Sequence, residues 1–125
     1  MASEKYDKGL AVRREVLGAE YVDRALADAD EFSRPMQELL TEYCWGEIWT
    51  QPELPRKTRS LINIGMISAL NRPHELKLHV RGALRNGCTK EEIRSVLMQV
   101  AIYCGVPAAI DGLRVAREVL KEEGI

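Results

Sequence analysis

Between Arg56 and Leu70 the chain reads RKTRSLINIGMISAL, and Leu61, Ile62, Ile64, Met66, Ile67 and Ala69 leave a helical wheel apolar on nearly every side. A helix without a polar face must be wrapped by its neighbours, so Lys57 to Leu70 is expected at the centre of the fold. The wrapping elements also read as helices. A first helix is expected over Tyr6 to Leu17 and a second over Tyr21 to Ala29, with Val22, Ala25 and Leu26 on one side. A third opens at Ser33, a good capping residue, and carries Met36, Leu39, Leu40, Tyr43 and Cys44 at the spacing of a buried stripe. Pro52 and Pro55 mark the loop that follows.

Pro73 suits the first turn of a fifth helix, where its missing N–H is no loss, and Gly87 suits a left-handed cap at its end. Thr89 followed by Glu92 is a capping box for a sixth helix with the stripe Ile93, Val96, Leu97, Val100, Ala101 and Cys104. Gly105 and Pro107 separate it from a last helix with Ala109, Leu113, Ala116 and Leu120 in register. No segment alternates with the period of a strand. The expectation is an all-α fold of six to seven short helices in one domain, residues 1–125.

At 125 residues, 46% hydrophobic and 30% charged, the chain can bury a core. No apolar run approaches the roughly 20 residues of a membrane span, and MASEKYDKGL is too polar for a secretory leader. A cytoplasmic protein without membrane partners is expected. Cys44, Cys88 and Cys104 are odd in number, far apart and form no CxxC or Cys/His ligand pattern, so neither a disulfide framework nor a zinc site is supported and they read as reduced packing residues.

The net charge of −1 conceals an asymmetry: residues 51–90 hold eight cationic side chains against Glu53 and Glu75. Such a region concentrates small anions, and carboxylates fit it better than nucleic acid, which usually meets a basic chain. A solvated basic face paired with acidic neighbours is the plainer alternative. RGALRNGCTKEEIRSVL has the outline of a helix-turn-helix, but two glutamates open its second helix where base-reading residues would stand.

Within that region His79 lies about 80° from the centre of the stripe formed by Leu76, Val80, Ala83, Leu84 and Gly87, at 100° per residue. It is either a boundary histidine with one structural hydrogen bond or a functional group beside a crevice. Leu78 and Gly82 lie away from the stripe and suggest a subunit contact near it. His74 reads as a surface residue. Glu47 extends the stripe of the third helix, so it is a paired or perturbed carboxylate, or points to solvent if the helix ends at Gly46. Trp45 and Trp49, four apart, either wall a pocket or simply pack.

The segment GEIWTQPELPRKTRSLINIGMISALNRPHELKLHVRGALRNGCTKEEIRSVLMQVAIYCGVPAAIDG resembles the gamma-carboxymuconolactone decarboxylase family, most specifically in GEIW, HVRGALRNG and YCGVPAAI. The resemblance implies an all-α, AhpD-like fold assembled as a homo-oligomer, a trimer or hexamer. It implies cofactor-free decarboxylation of 4-carboxymuconolactone, a small anionic lactone of protocatechuate catabolism, to 3-oxoadipate enol-lactone. The lactone accepts the electrons that carbon dioxide leaves behind, so neither metal nor pyridoxal phosphate is required.

By the same resemblance His79 is the donor or general acid and Glu47 its proton partner. Arg81, Arg59 and Arg72 are candidates to clamp carboxylates, and Trp45, Trp49, Leu78 and Tyr103 candidates for an apolar wall. The peroxidase branch of the superfamily has a CxxC pair ahead of this histidine, where this chain has Arg72 and Glu75. Disulfide-based peroxidase chemistry is therefore disfavoured. A non-catalytic oligomeric binding module remains the other alternative.

Overall fold

The structure, a computed structural model describing residues 3–125, contains seven α-helices and no strand among those residues. They are α1 (Glu4–Leu17), α2 (Ala19–Asp28), α3 (Arg34–Leu39), α4 (Arg56–Ala69), α5 (Pro73–Arg85), α6 (Lys90–Cys104) and α7 (Val106–Glu122). A π-helical stretch, Leu40–Ile48, continues α3 without a break. The all-α expectation holds. The helices gather into two compact units, one ending at Pro55 and one beginning at Arg56. None of the helices is long and apolar enough to cross a membrane.

In the first unit α1 lies against the π-helical stretch at glycine-to-backbone distance. A Cβ on Gly9 would fall 1.9 Å from the carbonyl oxygen of Thr41, and one on Gly46 would fall 2.3 Å from that of Lys5. Only glycine permits that approach. Val12, Val16, Leu17, Val22, Trp45 and Trp49 are buried in this unit. Arg13, also buried, donates from Nη1 to Thr41 Oγ1 at 3.1 Å.

The face of the third helix departs from expectation. Met36, Leu39 and Tyr43 are exposed, and the buried residues are Thr41, Trp45, Gly46 and Trp49. The i→i+5 bonding of the π turns, closed by Trp49 N–H donating to Cys44 C=O at 3.0 Å, shifts the register on which the stripe was drawn.

In the second unit α4 packs against α5, α6 and α7, which makes it the centre that its sequence demanded. Ile64, Leu76, Val80, Ala83, Cys88, Ile93, Leu97, Ala116 and Val119 form one buried cluster. One flank of α4 nevertheless stays open, with Ile62, Met66 and Leu70 exposed. Cys104 and Leu113, drawn on core stripes, are exposed as well. Gly87 turns the chain after α5 with φ +89, the left-handed conformation expected of it. The capping box forms: Thr89 Oγ1 accepts from Glu92 N–H at 3.1 Å, and Thr89 N–H donates to Glu92 Oε1 at 2.9 Å.

Three polar side chains punctuate the packed length of α4. Ser60 Oγ accepts from Asn86 Nδ2 at 2.9 Å, and Asn63 bonds to His79. Ser68, 3% exposed, has a hydroxyl oxygen with no hydrogen-bond partner. A buried hydroxyl left unpaired costs about 1–3 kcal/mol, so Ser68→Ala is expected to raise stability by about 1 kcal/mol. Gly46→Ala is expected to lower it by about 3 kcal/mol or more through the clash with Lys5. Urea denaturation of the two variants beside the parent checks both signs.

Candidate active site

His79 sits midway along α5, in a helix whose Leu76, Val80 and Ala83 are buried against the core. Its ring lies toward α4, where Asn63 Nδ2 is 3.3 Å from Nδ1. The amide and the ring nitrogen share a hydrogen bond across the α4–α5 seam. Desolvation lowers the imidazole pKa from 6.5 to about 4. The ring is therefore neutral at physiological pH, with one N–H able to donate. Of the two readings open for His79, the boundary position with a hydrogen bond is observed, in a desolvated setting that chemistry can use.

The three candidate arginines occupy different surroundings. Arg59, partly buried, precedes Asn63 by one turn of α4, the register closest to the imidazole. Arg81 lies about 160° around α5 from His79, at 100° per residue, and its guanidinium is ion-paired with Glu122 of α7. Beside it Lys77 bridges Glu118 at 2.8 Å and Glu122 at 3.2 Å. Much of the positive charge on α5 is thus matched internally, as the plainer reading of the basic region foresaw. The carboxylate held by Arg81 is the protein's own, not a ligand's.

Arg72 caps α5 and donates from Nη1 to Leu70 C=O at 3.1 Å. It borders a cleft of about 440 Å³ lined also by Ile67, Ser68, Leu76, Asp111 and Arg114. The other guanidinium there, Arg114, is engaged by Asp111 at 2.5 Å.

Glu47 and the two tryptophans belong to the first unit. Glu47 is not on a buried stripe: its side chain is 48% exposed and paired with Lys5 at 3.2 Å. That ammonium also lies 5.2 Å from the centre of the Tyr43 ring. Trp45 and Trp49 are both buried, with ring centroids 4.8 Å apart and planes tilted by 30°, which is packing of one against the other. Tyr103 is exposed and Leu78 partly buried, both in the second unit. The three cysteines are free thiols. Desolvation pushes those of Cys44 and Cys88 above the ordinary range, the opposite of an activated nucleophile. Among the described residues no three His, Cys, Asp or Glu side chains gather as metal ligands would.

Asn63 was not among the residues that the sequence brought forward. Its signal was present, because a lone amide between Ile62 and Ile64 in a nearly all-apolar helix must find a partner when the helix is packed. Nothing in helical spacing names that partner.

Relatives place this geometry. The chain is 45% identical to nitrosuccinic acid decarboxylase npaB of Metarhizium robertsii over 117 residues, 94% of its own length and 82% of the relative's. It is 40% identical to the 4-carboxymuconolactone decarboxylase of Acinetobacter baylyi over 122 residues, 98% and 91% of the two chains. A shorter match, 41% over 44 residues, covers 35% of this chain and 92% of the 4-carboxymuconolactone decarboxylase of Pseudomonas putida. An all-α fold and kinship along nearly the whole chain to decarboxylases define a carboxy-lyase. The model of the carboxymuconolactone decarboxylase family matches residues 34–118, and the chain belongs to that family.

The low pKa of His79 has a measurable consequence. An unfolded histidine takes up its proton near pH 6.5 and the folded one only near pH 4. Its contribution to stability is present in full above pH 6.5 and is lost as pH falls toward 4. An NMR titration of the His79 ring is expected to give a midpoint near 4. A midpoint near 6.5 would contradict burial of the ring.

Proposed function

We propose that the chain decarboxylates 4-carboxymuconolactone to 3-oxoadipate enol-lactone in the breakdown of protocatechuate, in the cytoplasm and without a cofactor. The observation that carries this reading is the imidazole of His79, kept neutral by burial, on a chain alike along 98% of its length to a 4-carboxymuconolactone decarboxylase. In this reading the bond from the ring carbon to its carboxylate breaks, carbon dioxide departs, and the electron pair runs through the ring alkene into the lactone carbonyl. Negative charge gathers on that oxygen. A neutral imidazole N–H aimed there stabilises the charge as it grows, and an apolar setting strengthens the hydrogen bond. The dienolate then takes one proton at the carbon next to the carbonyl.

His79 is the donor in this scheme and Glu47 the proton partner. Arg59 is the leading clamp for the spectator carboxylate, because it stands one turn of α4 from Asn63, which bonds to His79. Arg72 is the second choice.

A second substrate is favoured by the 45% identity to the nitrosuccinic acid decarboxylase. Nitrosuccinic acid is a dicarboxylate whose nitro group can accept the electrons released with carbon dioxide, as the lactone carbonyl does. Both acids carry a leaving carboxylate, an oxygen-centred sink and a spectator carboxylate.

The test is a parallel assay of carbon dioxide release from the two acids by the purified chain. Turnover of the lactone at the higher kcat/KM is expected; turnover of the nitro acid alone reassigns the substrate, and turnover of neither refutes both. His79→Ala is expected to reduce kcat at least about 100-fold with helix content unchanged. The triple Cys→Ser variant is expected to keep full activity, and its loss would restore a thiol mechanism.

The same reading includes assembly into a trimer or hexamer. In the second unit Met66 is 52%, Ile102 81% and Tyr103 82% exposed, and Ile62, Leu70, Met98, Val106 and Ile110 are exposed too. In the first unit Phe32, Met36, Leu39 and Tyr43 are likewise exposed. Apolar surface on this scale marks an interaction site, and further copies of the chain are the occupants implied by the family. Light scattering is expected to give the mass of three or six chains. Ile102→Asp is expected to shift it toward one, and a monomeric parent would exclude the assembly.

A further inference from the structure

The geometry points to a second binding site on this chain, for a small carboxylate with a compact apolar body, in the cleft between α4, α5 and α7. It is separate from the reaction proposed above: neither Arg59, Asn63 nor His79 lines the cleft, and turnover plays no part in its test.

The cleft opens where α4 turns into α5. There α4 ends in a Schellman motif: Asn71 stands at φ 56, its N–H donates to Ser68 C=O at 3.2 Å, and Arg72 N–H donates to Ile67 C=O at 3.3 Å. Asparagine tolerates the left-handed conformation better than most side chains. The turn is thereby fixed, and with it the backbone of Arg72. The side chain is held as well, because Nη1 donates to Leu70 C=O at 3.1 Å and to Asn71 C=O at 3.4 Å. The guanidinium edge formed by Nε and Nη2 has no partner among the described residues, and no carboxylate of theirs pairs with Arg72. Such an edge is a fork that takes a carboxylate through two parallel hydrogen bonds.

Arg72 is the one unmatched charge on the lining, since Arg114 and Asp111 engage each other at 2.5 Å. Two helix starts add to its field. Ala108 lies in the first turn of α7 and Pro73 in that of α5, and neither helix has a side-chain cap to answer its N–H groups. An anion of single charge suits that balance. The walls are apolar, with Ile67, Leu76, Ala108 and Val115, and a volume of about 440 Å³ falls within the range of small-molecule sites. An inorganic anion would leave those walls wet, whereas an acid with an apolar body answers both. Ser68 is an independent mark of a ligand: it lines the cleft, is 3% exposed, and has a hydroxyl oxygen that nothing in the protein satisfies. Gly112 spares the space beside it, because a Cβ there would stand 3.0 Å from Ser68 Oγ.

The test is a titration of the ¹⁵N-labelled full chain with benzoate, with benzamide as the uncharged probe of the same shape. Backbone amide shifts are expected within residues 67–73 and 108–115, with a Kd for benzoate of about 1 mM or below and binding of benzamide at least about 10-fold weaker. Arg72→Gln is expected to weaken benzoate about 10-fold or more and to leave benzamide unchanged, a split that a misfolded variant would not give. His79→Ala is expected to leave the titration as it is, so the site stands or falls apart from the role of the imidazole. Absence of shifts in these segments up to about 20 mM benzoate overturns the inference without any variant having to fold. So does benzamide binding as tightly as benzoate. Shifts centred on Asn63 and His79 would also overturn it, by placing the acid in the reaction site and returning Arg72 to the reaction.

Discussion

Two side-chain bonds between α4 and α5, Asn63 to His79 and Asn86 to Ser60, set the constraint on which the second unit turns. An unanswered polar group in a wrapped, nearly all-apolar helix costs as much as one or more buried methylenes, and along α4 Ser60 and Asn63 are answered while Ser68 is not. Ser60 and Asn63 are a turn apart on α4, and their partners are Asn86, the residue that caps the C-terminus of α5, and His79 within that helix. Together they permit one rotation of α5 about its axis. That rotation sends Leu76, Val80 and Ala83 into the core and leaves His79 at the seam. The placement of the imidazole is thus a by-product of satisfying the central helix.

The same rotation separates the charges of α5 from its histidine. Lys77 and Arg81 leave on the far flank and close onto Glu118 and Glu122, so the cations nearest to His79 in sequence are spent on joining α5 to α7. Exposed ion pairs of this kind add little stability, but they fix which face of the helix remains uncharged. An imidazole desolvated by burial holds a second proton only reluctantly. Its low pKa follows from desolvation and leaves the ring neutral, with one N–H.

Helix boundaries in the second unit were legible because each rests on local chemistry: Pro73 at a helix start, Gly87 at positive φ, Thr89 and Glu92 closing on each other. The position of His79 at the border of a stripe was legible for the same reason, since 3.6-residue spacing holds through α5. The third helix defeated the method. A π-helical stretch at Leu40–Ile48 alters the angle between successive side chains, and no propensity scale announces it. Glu47 consequently lies exposed beside Lys5 while Trp45 and Trp49 turn inward. The contact of Gly9 and Gly46 with facing backbone was illegible as well, because a glycine's packing role exists only once the opposing strand of chain is known.

Relatives 45% and 40% identical to this chain are named for two chemically different acids, one with a nitro group and one with a lactone. The demand common to both is a hydrogen-bond donor at an oxygen that becomes negative as carbon dioxide leaves. A protonated imidazole would serve that oxygen more strongly, but it would also bind the departing carboxylate and stabilise the ground state, which gains nothing in rate. A neutral ring discriminates in the right direction: its single N–H gains strength as charge accumulates and holds the ground state weakly. In the proposed reaction the seam between α4 and α5 thus provides a donor indifferent to the identity of the electron sink. On that proposal, selection between such acids falls to the shape of the site around the sink and not to the donor itself.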